Sequence, residues 1–524
     1  MKNIFILLCS ILPVFAGAQK GGNAGQFSKI ISPEMLKKHL YYIAGPETEG
    51  RGTGTPGIEK AAAYVEQEFK KAGLQPGNKN SYRINYALYQ DSLLNAYIEI
   101  DGQNFASGQY FNGDLRRGTN HHIQDKGVVF AGYGIDDSLY SDYKNLDVNG
   151  KIVVIVEGEP KVNDTAYLLT GNSRRSEWGF SLDLKSRSAK RLGARALLVL
   201  VNNFPRFVPG RRPARGPMYP AFSAEENKLA VYRISDTLAF ALFGAEETAN
   251  LKKTAQKGGS LQALSSNKNI TLHFEKKQFE TMAGNVIGLL PGTDLKNEYV
   301  VITAHMDHLG KRDTMVYYGA DDDGSGTCAV IQMAHAFSAA KKAGKGPRRS
   351  IVFMTVSGEE MGLWGSDYYS RNPVYPLDKT TVNLNIDMIG RVSTEYAKDF
   401  PADTGNYVHV IGDDKLSSDL RPISEQANNE SVKMKLDYKY NDPKDPNRFY
   451  YRSDHYNFAA KGVPIIFYFN GVHKDYHRPS DTPDKINYDL YARRAQLVFH
   501  TGWLMANFDR MLKRDIPLNM PARR

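Results

Sequence analysis

The sequence predicts an α/β protein with a mixed central sheet flanked by helices. Short runs of β-branched and aromatic residues have the length of strands, and longer stretches with apolar residues three or four positions apart have the period of helices. The two patterns alternate along the second half of the 524-residue chain. With 41% hydrophobic and 24% charged residues, the chain has a globular composition and is long enough for at least two domains.

The first 18 residues have the pattern of a secretory signal peptide. Lys2 precedes an apolar stretch from Ile4 to Phe15, and the small residues Ala16-Gly17-Ala18 follow it. We therefore expect cleavage after Ala18 and a secreted or periplasmic protein. A lipid attached at Cys9 is the alternative, although almost no apolar run precedes that cysteine. No later uncharged run has the length of a membrane span, so we expect none.

The remaining chain divides into a main domain and an insert. Residues 19–125 form the N-terminal part of the main domain, where a helical pattern from Ile58 to Phe69 ends at Gly73. Residues 126–255 differ in sequence pattern from the residues before them, and this pattern predicts a β-rich α/β insert. Residues 256–524 carry the rest of the main domain.

The charge of the chain gives little support to a nucleic-acid partner. The net charge is +10, but the basic residues are dispersed apart from an arginine-rich stretch at residues 174–215. No sequence signature of a nucleic-acid-binding fold accompanies them. We interpret the charge as a solvated cationic face and expect no nucleic-acid partner.

Four strands and a helix in the main domain set the place of a candidate site. The predicted elements are the strands Tyr299–Ala304, Ile351–Val356, Thr381–Ile386 and Val463–Phe469 and the helix Thr327–Lys342. Open α/β sheets bind ligands beyond the carboxyl ends of their strands. Polar residues that follow these strands are therefore expected to gather in one crevice.

Five zinc-binding side chains lie at or shortly after these elements. They are His305, Asp322, Glu360, Asp387 and His477. Two imidazoles and three carboxylates suit two zinc ions that share one bridging carboxylate, since zinc accepts both nitrogen and oxygen ligands. A calcium loop is the alternative for the aspartate triplet at 321–323, but the spaced ligands of such a loop are missing. The pattern predicts a dinuclear zinc hydrolase.

Other reactive side chains are predicted to be structural. His308, His335 and His455 are interpreted as structural histidines, and His335 lies on the predicted helix beside apolar residues. Cys328 begins that helix and is interpreted as a buried, unreactive thiol. It is the one cysteine left after removal of the signal peptide, so no internal disulfide is expected.

The motifs around the five ligands resemble those of the M28 family of zinc aminopeptidases. The matching segments are His305-x-Asp307, Gly319-Ala320-Asp321-Asp322-Asp323-Gly324-Ser325-Gly326, Glu359-Glu360-x-Gly362, Asn385-Ile386-Asp387-Met388 and the late His477. The insert, with Gly132-Tyr133-Gly134, resembles a protease-associated (PA) domain. The resemblance implies a zinc exopeptidase (phosphorylase/hydrolase-like) fold interrupted by that domain.

The resemblance also implies a role for each metal ligand. His305 and Asp387 would hold one zinc ion, Glu360 and His477 the other, and Asp322 would bridge them. In the family the peptide bond after the bridging aspartate is cis. The carboxylates on either side of Asp322 are not expected to be ligands.

Three further residues receive roles from the chemistry and the resemblance. Glu359 is expected to act as general base and then general acid for a hydroxide shared by the two zinc ions. Asp307 is expected to orient the His305 ring through its other nitrogen. Tyr450 is expected to stabilise the oxyanion, with the adjacent Tyr451 as the alternative.

The expected function is that of a secreted dinuclear zinc aminopeptidase acting on peptides. A carboxypeptidase or dipeptidase of the same family is an alternative, as is a single-zinc glutaminyl cyclase. A non-catalytic binding protein is disfavoured because all five ligands and Glu359 are present. The sequence carries no signal for the oligomeric state.

Overall fold

The chain forms two compact units. The computed structural model describes residues 24–115, 119–204, 215–223, 229–402 and 405–520, so the predicted signal peptide lies outside the described residues. One unit comprises the chain up to Tyr86 and again from Met282, and the other comprises Ala87–Thr281. The predicted insert boundaries at 126 and 255 differ from these. The change of sequence pattern at residue 126 lies within strand β5 of the second unit. It does not mark the first residue of that unit.

The strands and helices of the described residues are numbered in chain order. The strands are β1 (Gln75–Pro76), β2 (Arg83–Ile100), β3 (Gln103–Ala106), β4 (Phe111–Gly113), β5 (His121–Phe130), β6 (Ile152–Val156), β7 (Lys161–Asn163), β8 (Ala166–Tyr167), β9 (Ala196–Leu200), β10 (Tyr219–Pro220), β11 (Ala230–Ile234), β12 (Leu264–Leu290), β13 (Leu295–His305), β14 (Lys311–Arg312), β15 (Met315–Val316), β16 (Arg349–Val356), β17 (Thr380–Ile386), β18 (Tyr407–Ile411), β19 (Lys435–Asp437) and β20 (Ile465–Phe469). The α-helices are α1 (Ala24–Ser28), α2 (Pro33–Ile43), α3 (Pro56–Ala72), α4 (Leu182–Arg191), α5 (Asp236–Phe243), α6 (Ala245–Gln256), α7 (Gly326–Lys342), α8 (Trp364–Arg371), α9 (Thr394–Asp399), α10 (Leu420–Asn429), α11 (His455–Ala459) and α12 (Tyr488–Asn507).

The first unit contains the predicted mixed sheet. Its strand order is β19-β18-β20-β17-β13-β16-β12, with β1 paired to β12. Strands β20, β17, β13 and β16 are mutually parallel, whereas β18 and β12 run antiparallel to their neighbours β20 and β16. Each of the four predicted strands and the helix at 327–342 has a counterpart here. The four parallel strands therefore have their carboxyl ends at one edge of the sheet.

Apolar packing on both faces holds this sheet between helices. Along β13, Val300 and Ile302 join one buried cluster with residues of α3, α7 and α12, while Val301 joins a second cluster on the opposite face. Tyr369 of α8 and Phe458 of α11 belong to that second cluster. Parallel strands are usually buried on both faces, which explains their continuous apolar sequences.

The second unit has its own set of parallel strands and its own core. Strands β5, β6, β9 and β11 are parallel, and β4 runs antiparallel beside β11. Alternate residues of β6 enter two different apolar clusters, as Val153 and Val154 do. The strands and helices of this unit give residues 126–255 the α/β character that the sequence predicts for the insert. Within the described part of the chain, no helix is both long enough and apolar enough to cross a membrane.

Buried neutral histidines make the first unit sensitive to acid. Burial lowers the pKa of His39 to about 4 and that of His455 to about 3. In the unfolded chain each titrates near its ordinary pKa of about 6.5 and binds its proton at a higher pH than in the folded protein. Folded-state stability is therefore complete above pH about 6.5 and falls as the pH drops toward these lowered values.

We expect the free energy of unfolding to fall by on the order of 1 kcal/mol per pH unit for each such histidine between pH about 6.5 and 4. Urea titrations at several pH values measure this slope. A His39→Gln variant should have a shallower slope than the parent, because its side chain binds no proton in this range. An identical slope in parent and variant would contradict the assignment.

Candidate active site

The carboxyl ends of the parallel strands bring the predicted site residues together. His305 is the last residue of β13, and its register partner on β16 is Val356, three residues before Glu359. Asp387 directly follows β17. His477 follows β20 after a loop, and its φ of 57° lies in the left-handed region that non-glycine residues rarely adopt. The crevice expected beyond the strand ends is present.

The first ligand group consists of His305, Asp322 and Asp387. Nε2 of His305 lies 3.2 Å from Oδ1 of Asp322 and 3.6 Å from Oδ1 of Asp387. The other ring nitrogen, Nδ1, is 3.1 Å from the backbone oxygen of Asp307. A hydrogen bond donated from Nδ1 to that oxygen leaves the Nε2 lone pair directed at the two carboxylates.

The second ligand group lies on the other oxygen of Asp322. Nε2 of His477 is 3.1 Å from Oδ2 of Asp322 and 3.0 Å from Oε2 of Glu360. The two oxygens of Asp322 thus face two separate groups of zinc-binding atoms. Asp322 is the residue for which a bridging role is predicted.

A third histidine joins the second group. Nδ1 of His308 is 2.7 Å from Oε1 of Glu360 and 3.8 Å from Oδ2 of Asp322. The structural role predicted for His308 gave no reason to place it beside these carboxylates. His308 lies in the loop after β13, and the sequence pattern does not reveal the path of that loop.

Several buried polar atoms of the site have no hydrogen-bond partner among the described residues. They are Nε2 of His305, Oδ2 of Asp322, Oε1 of Glu360 and both ring nitrogens of His308. Unpaired buried polar atoms are costly, and native proteins rarely leave them without a partner. Donor atoms that share one zinc ion at about 2.0–2.2 Å stand roughly 3 Å apart, much as they do here. The residues of both groups therefore fit zinc ions.

The aspartates on either side of Asp322 hold the backbone in place. The carboxylate of Asp323 accepts hydrogen bonds from the backbone N–H groups of His305, Gly326 and Met388. Asp321 accepts one from Gly390. Oδ2 of Asp321 lies 3.2 Å from Nε2 of His473. Neither carboxylate belongs to the two ligand groups described above. The Asp322–Asp323 peptide bond is cis, which confirms the prediction.

Asp307 positions a different part of the site from the one predicted. Its carboxylate accepts hydrogen bonds from the hydroxyl of Thr53 and the backbone N–H groups of Glu359 and Glu360. The closest carboxylate oxygen is 3.8 Å from Nδ1 of His305, which is too far for a hydrogen bond. Asp307 therefore orients His305 through its backbone carbonyl and orients the two glutamates through its carboxylate.

Glu359 faces the open part of the site. It lines a small recess of about 30 Å³ with Asp322 and Asp387, and an adjacent cleft of about 370 Å³ with Tyr451 and Arg452. Desolvation raises the pKa of Glu359 well above its ordinary value, His305 opposes this rise, and the Asp387 carboxylate adds to it. The Glu359 carboxyl group is thus placed beside both ligand groups and open to a substrate.

The structure favours Tyr451, the alternative, over Tyr450. Tyr450 is 1% exposed and Tyr451 is 6% exposed, and both belong to the same apolar cluster. The ring edge of Tyr450 lies against His455, whereas Tyr451 lines the cleft beside Glu359. Phe449–Tyr451 form a 3₁₀ turn, in which successive side chains point about 120° apart, so the two tyrosines face different directions.

Two residues that sequence reasoning missed support the ligand loops. The carboxylate of Asp481 accepts hydrogen bonds from the backbone N–H groups of Asp321 and Asp322, at 3.0 and 3.2 Å. The buried guanidinium of Arg51 donates to the backbone oxygens of Met306 and Gly319. Arg51 is far from the ligands in sequence, whereas Asp481 lies four residues after His477, and no motif around either one indicates a role at this site.

The fold and the site together define an α/β domain with two groups of zinc-binding side chains at the ends of parallel strands. Residues 285–502 match the model of Peptidase family M28. The match includes all five predicted ligands.

Curated relatives carry related names. The chain is 26% identical over 267 residues to a "Probable zinc metalloprotease" of Pyrenophora tritici-repentis, which covers 44% of this chain and 52% of the relative. It is 31% identical over 170 residues to "Aminopeptidase YwaD" of Bacillus subtilis, which covers 30% of this chain and 35% of that protein. The matched segments thus span about half or less of the length of these relatives.

A solved structure shares the fold. An aminopeptidase from Aneurinibacillus sp. strain AM-1 matches over 95% of this chain and 99% of its own, with a TM-score of 0.50 and 18% identity. At this identity the likeness is one of fold, and it supports the mixed α/β architecture.

We expect an Asp481→Ala variant to bind zinc about 10–100-fold more weakly, because outer partners that orient ligands have effects of this size on metal affinity. Titration of the chelator-stripped protein with zinc measures the change. Asp484→Ala is the matched control, since Asp484 is an exposed aspartate three residues away in the same loop. Equal zinc affinity in the two variants would contradict the role of Asp481.

Proposed function

We propose that this protein is a zinc-dependent exopeptidase that removes single residues from the N-terminus of peptides. The observation that carries the proposal is the position of Asp322, whose two oxygens face two separate groups of zinc-binding atoms. This position supports two zinc ions per chain with Asp322 shared between them. His305 and Asp387 belong to the first ligand group, and Glu360 and His477 belong to the second.

The chain contributes the proton transfers of peptide hydrolysis. Bound zinc supplies Lewis acidity, which polarises a carbonyl oxygen and lowers the pKa of water from roughly 16 to about 7. Glu359 lies beside both ligand groups and belongs to neither. It takes a proton from the attacking water and delivers that proton to the nitrogen of the leaving amine as the peptide C–N bond breaks.

The recess beside Asp387 supports a preference for an apolar substrate side chain. Its apolar lining consists of Met388, Phe449, Phe467, Phe469 and Val472. These residues favour an uncharged side chain, and the recess also includes the charged residues Asp322, Glu359, Asp387 and Arg452. The recess volume of about 30 Å³ suits a small side chain.

A second candidate function is the cleavage of dipeptides or of C-terminal residues. Arg448 and Arg452 line the 370 Å³ cleft together with Glu359. Guanidinium groups bind carboxylates with two hydrogen bonds, so these arginines favour a substrate whose free C-terminus lies near the scissile bond.

Two further parts of the proposal concern the cellular location of the protein and the identity of the insert. The signal-peptide pattern ending at Ala16-Gly17-Ala18 supports a secreted or periplasmic enzyme, and N-terminal sequencing of the exported chain tests it. The α/β unit at residues 87–281 is proposed to be a protease-associated domain.

A substrate panel tests the proposed function. We expect release of p-nitroaniline from alanine and valine p-nitroanilides, loss of that release on N-acetylation, and loss on treatment with a chelator. C-terminally amidated dipeptides should remain substrates of an aminopeptidase. Cleavage that requires a free C-terminus would favour the second candidate function, and conversion of Gln-Ala to a cyclised product would identify a glutaminyl cyclase. Either result would overturn the aminopeptidase proposal.

A Glu359→Gln variant should lose about 10²–10⁴-fold in kcat, because an amide accepts no proton from water. Its zinc content and Tm should match those of the parent, since Glu359 is outside both ligand groups. Glu425→Gln is the control for replacing a glutamate of the same unit, because Glu425 is exposed on α10. A folded, zinc-loaded Glu359→Gln protein with the parental rate would exclude the proposed base.

A further inference from the structure

We propose that His308 is a ligand of the second zinc ion, together with Asp322, Glu360 and His477. This inference rests on the zinc site of the proposed function and adds to it. The second ion would then have four protein ligands, whereas the first has three, namely His305, Asp322 and Asp387. His308 belongs to neither ligand set that the sequence predicts.

The His308 ring is fully enclosed and lies against the second ligand group. Its side chain is 0% exposed, and the Glu360 side chain is 5% exposed. Nδ1 of His308, Oδ2 of Asp322 and an oxygen of Glu360 lie close enough together to share one ion. His477 contacts the same two carboxylates, and its ring centroid is 5.8 Å from that of His308.

The direction of the ring nitrogen favours a metal bond over a hydrogen bond. Nδ1 of His308 lies 2.7 Å from Oε1 of Glu360, yet neither ring nitrogen makes a hydrogen bond with a described residue. An N–H group directed at Oε1 would form a hydrogen bond at this distance. The N–H direction of Nδ1 therefore deviates from Oε1. Two donor atoms that are close together but not aimed at each other are arranged like ligands around a common ion.

The backbone around His308 fixes the ring in this position. The N–H of His308 donates to the backbone oxygen of Arg51, and the Arg51 side chain holds the backbone oxygens of Met306 and Gly319. Gly319 has a φ of 57°, and a Cβ there would lie 2.5 Å from Cγ of the His308 ring. The close approach of ring and backbone therefore requires a glycine.

The different ligand numbers give the two ions different roles. Zinc sites with four protein ligands are usually closed and structural, whereas catalytic sites keep a position open for water or substrate. With His308 in the second ligand group, an open position would remain beside His305, Asp322 and Asp387. The second ion would then be expected to exchange more slowly than the first.

Metal titration of the full-length chain tests the assignment. The chelator-stripped parent, His308→Gln and His335→Gln are titrated with zinc and, separately, with Co²⁺. His335→Gln is the matched control, because His335 lies near Glu68, Nε2 to Oε2 3.4 Å, and is outside both ligand groups. We expect His308→Gln to bind its second ion more than about 100-fold more weakly, beyond the usual effect of an outer partner. The visible spectrum of the second Co²⁺ equivalent should change in this variant alone.

X-ray absorption at the zinc edge of the parent tests the inference without a variant. The inference predicts three imidazole ligands over two zinc ions, from His305, His308 and His477. Two imidazole ligands over two ions, or a His308→Gln variant with parental Co²⁺ spectrum and affinity, would overturn it while leaving the proposed function intact. A parent chain that binds no zinc would overturn both.

Discussion

The concentration of buried carboxylates at one edge of the sheet is the constraint on which the rest of the site depends. Those with 0–7% residue exposure are Asp307, Asp321, Asp322, Asp323, Asp387 and Asp481, and the Glu360 side chain is 5% exposed. Buried charges of one sign repel each other and need paired groups or metal ions. Backbone N–H groups satisfy some of these carboxylates. Asp322, Asp387 and Glu360 face imidazole nitrogens instead, which is where positive charge must be supplied.

The fold produces this concentration through strand direction. Four parallel strands end together, so residues from the separate segments that follow them meet without any one segment carrying the whole site. The loops beyond the strand ends are held by buried polar side chains that reach backbone atoms, as Arg51, Asp323 and Asp481 do. The ligand geometry is therefore set by hydrogen bonds to the backbone, and the ligands themselves are left with free atoms that face each other.

Sequence reasoning predicted the parts of the site that follow directly from strand position and local motif. His305 and Asp387 lie at strand ends, and the glycine-flanked aspartate triplet indicated Asp322 and its cis bond. The residues that the sequence did not place correctly depend on turns and loops. Tyr451 rather than Tyr450 lines the cleft, because neighbouring side chains of a 3₁₀ turn face different directions, and His308 and Asp481 reach the site through loops whose course depends on long-range contacts. The second unit extends past the predicted boundary at 255, because the first part of β12, up to Thr281, belongs to it.

The central claim is that Asp322 is shared by two zinc ions, and the zinc content of an Asp322→Asn variant tests it most directly. Elemental analysis of the parent should give two zinc ions per chain after dialysis against a defined zinc buffer. A shared ligand predicts that both ions are lost or greatly weakened in the variant, because each group loses a charged oxygen. A folded variant that keeps one ion with parental affinity would contradict the shared position of Asp322.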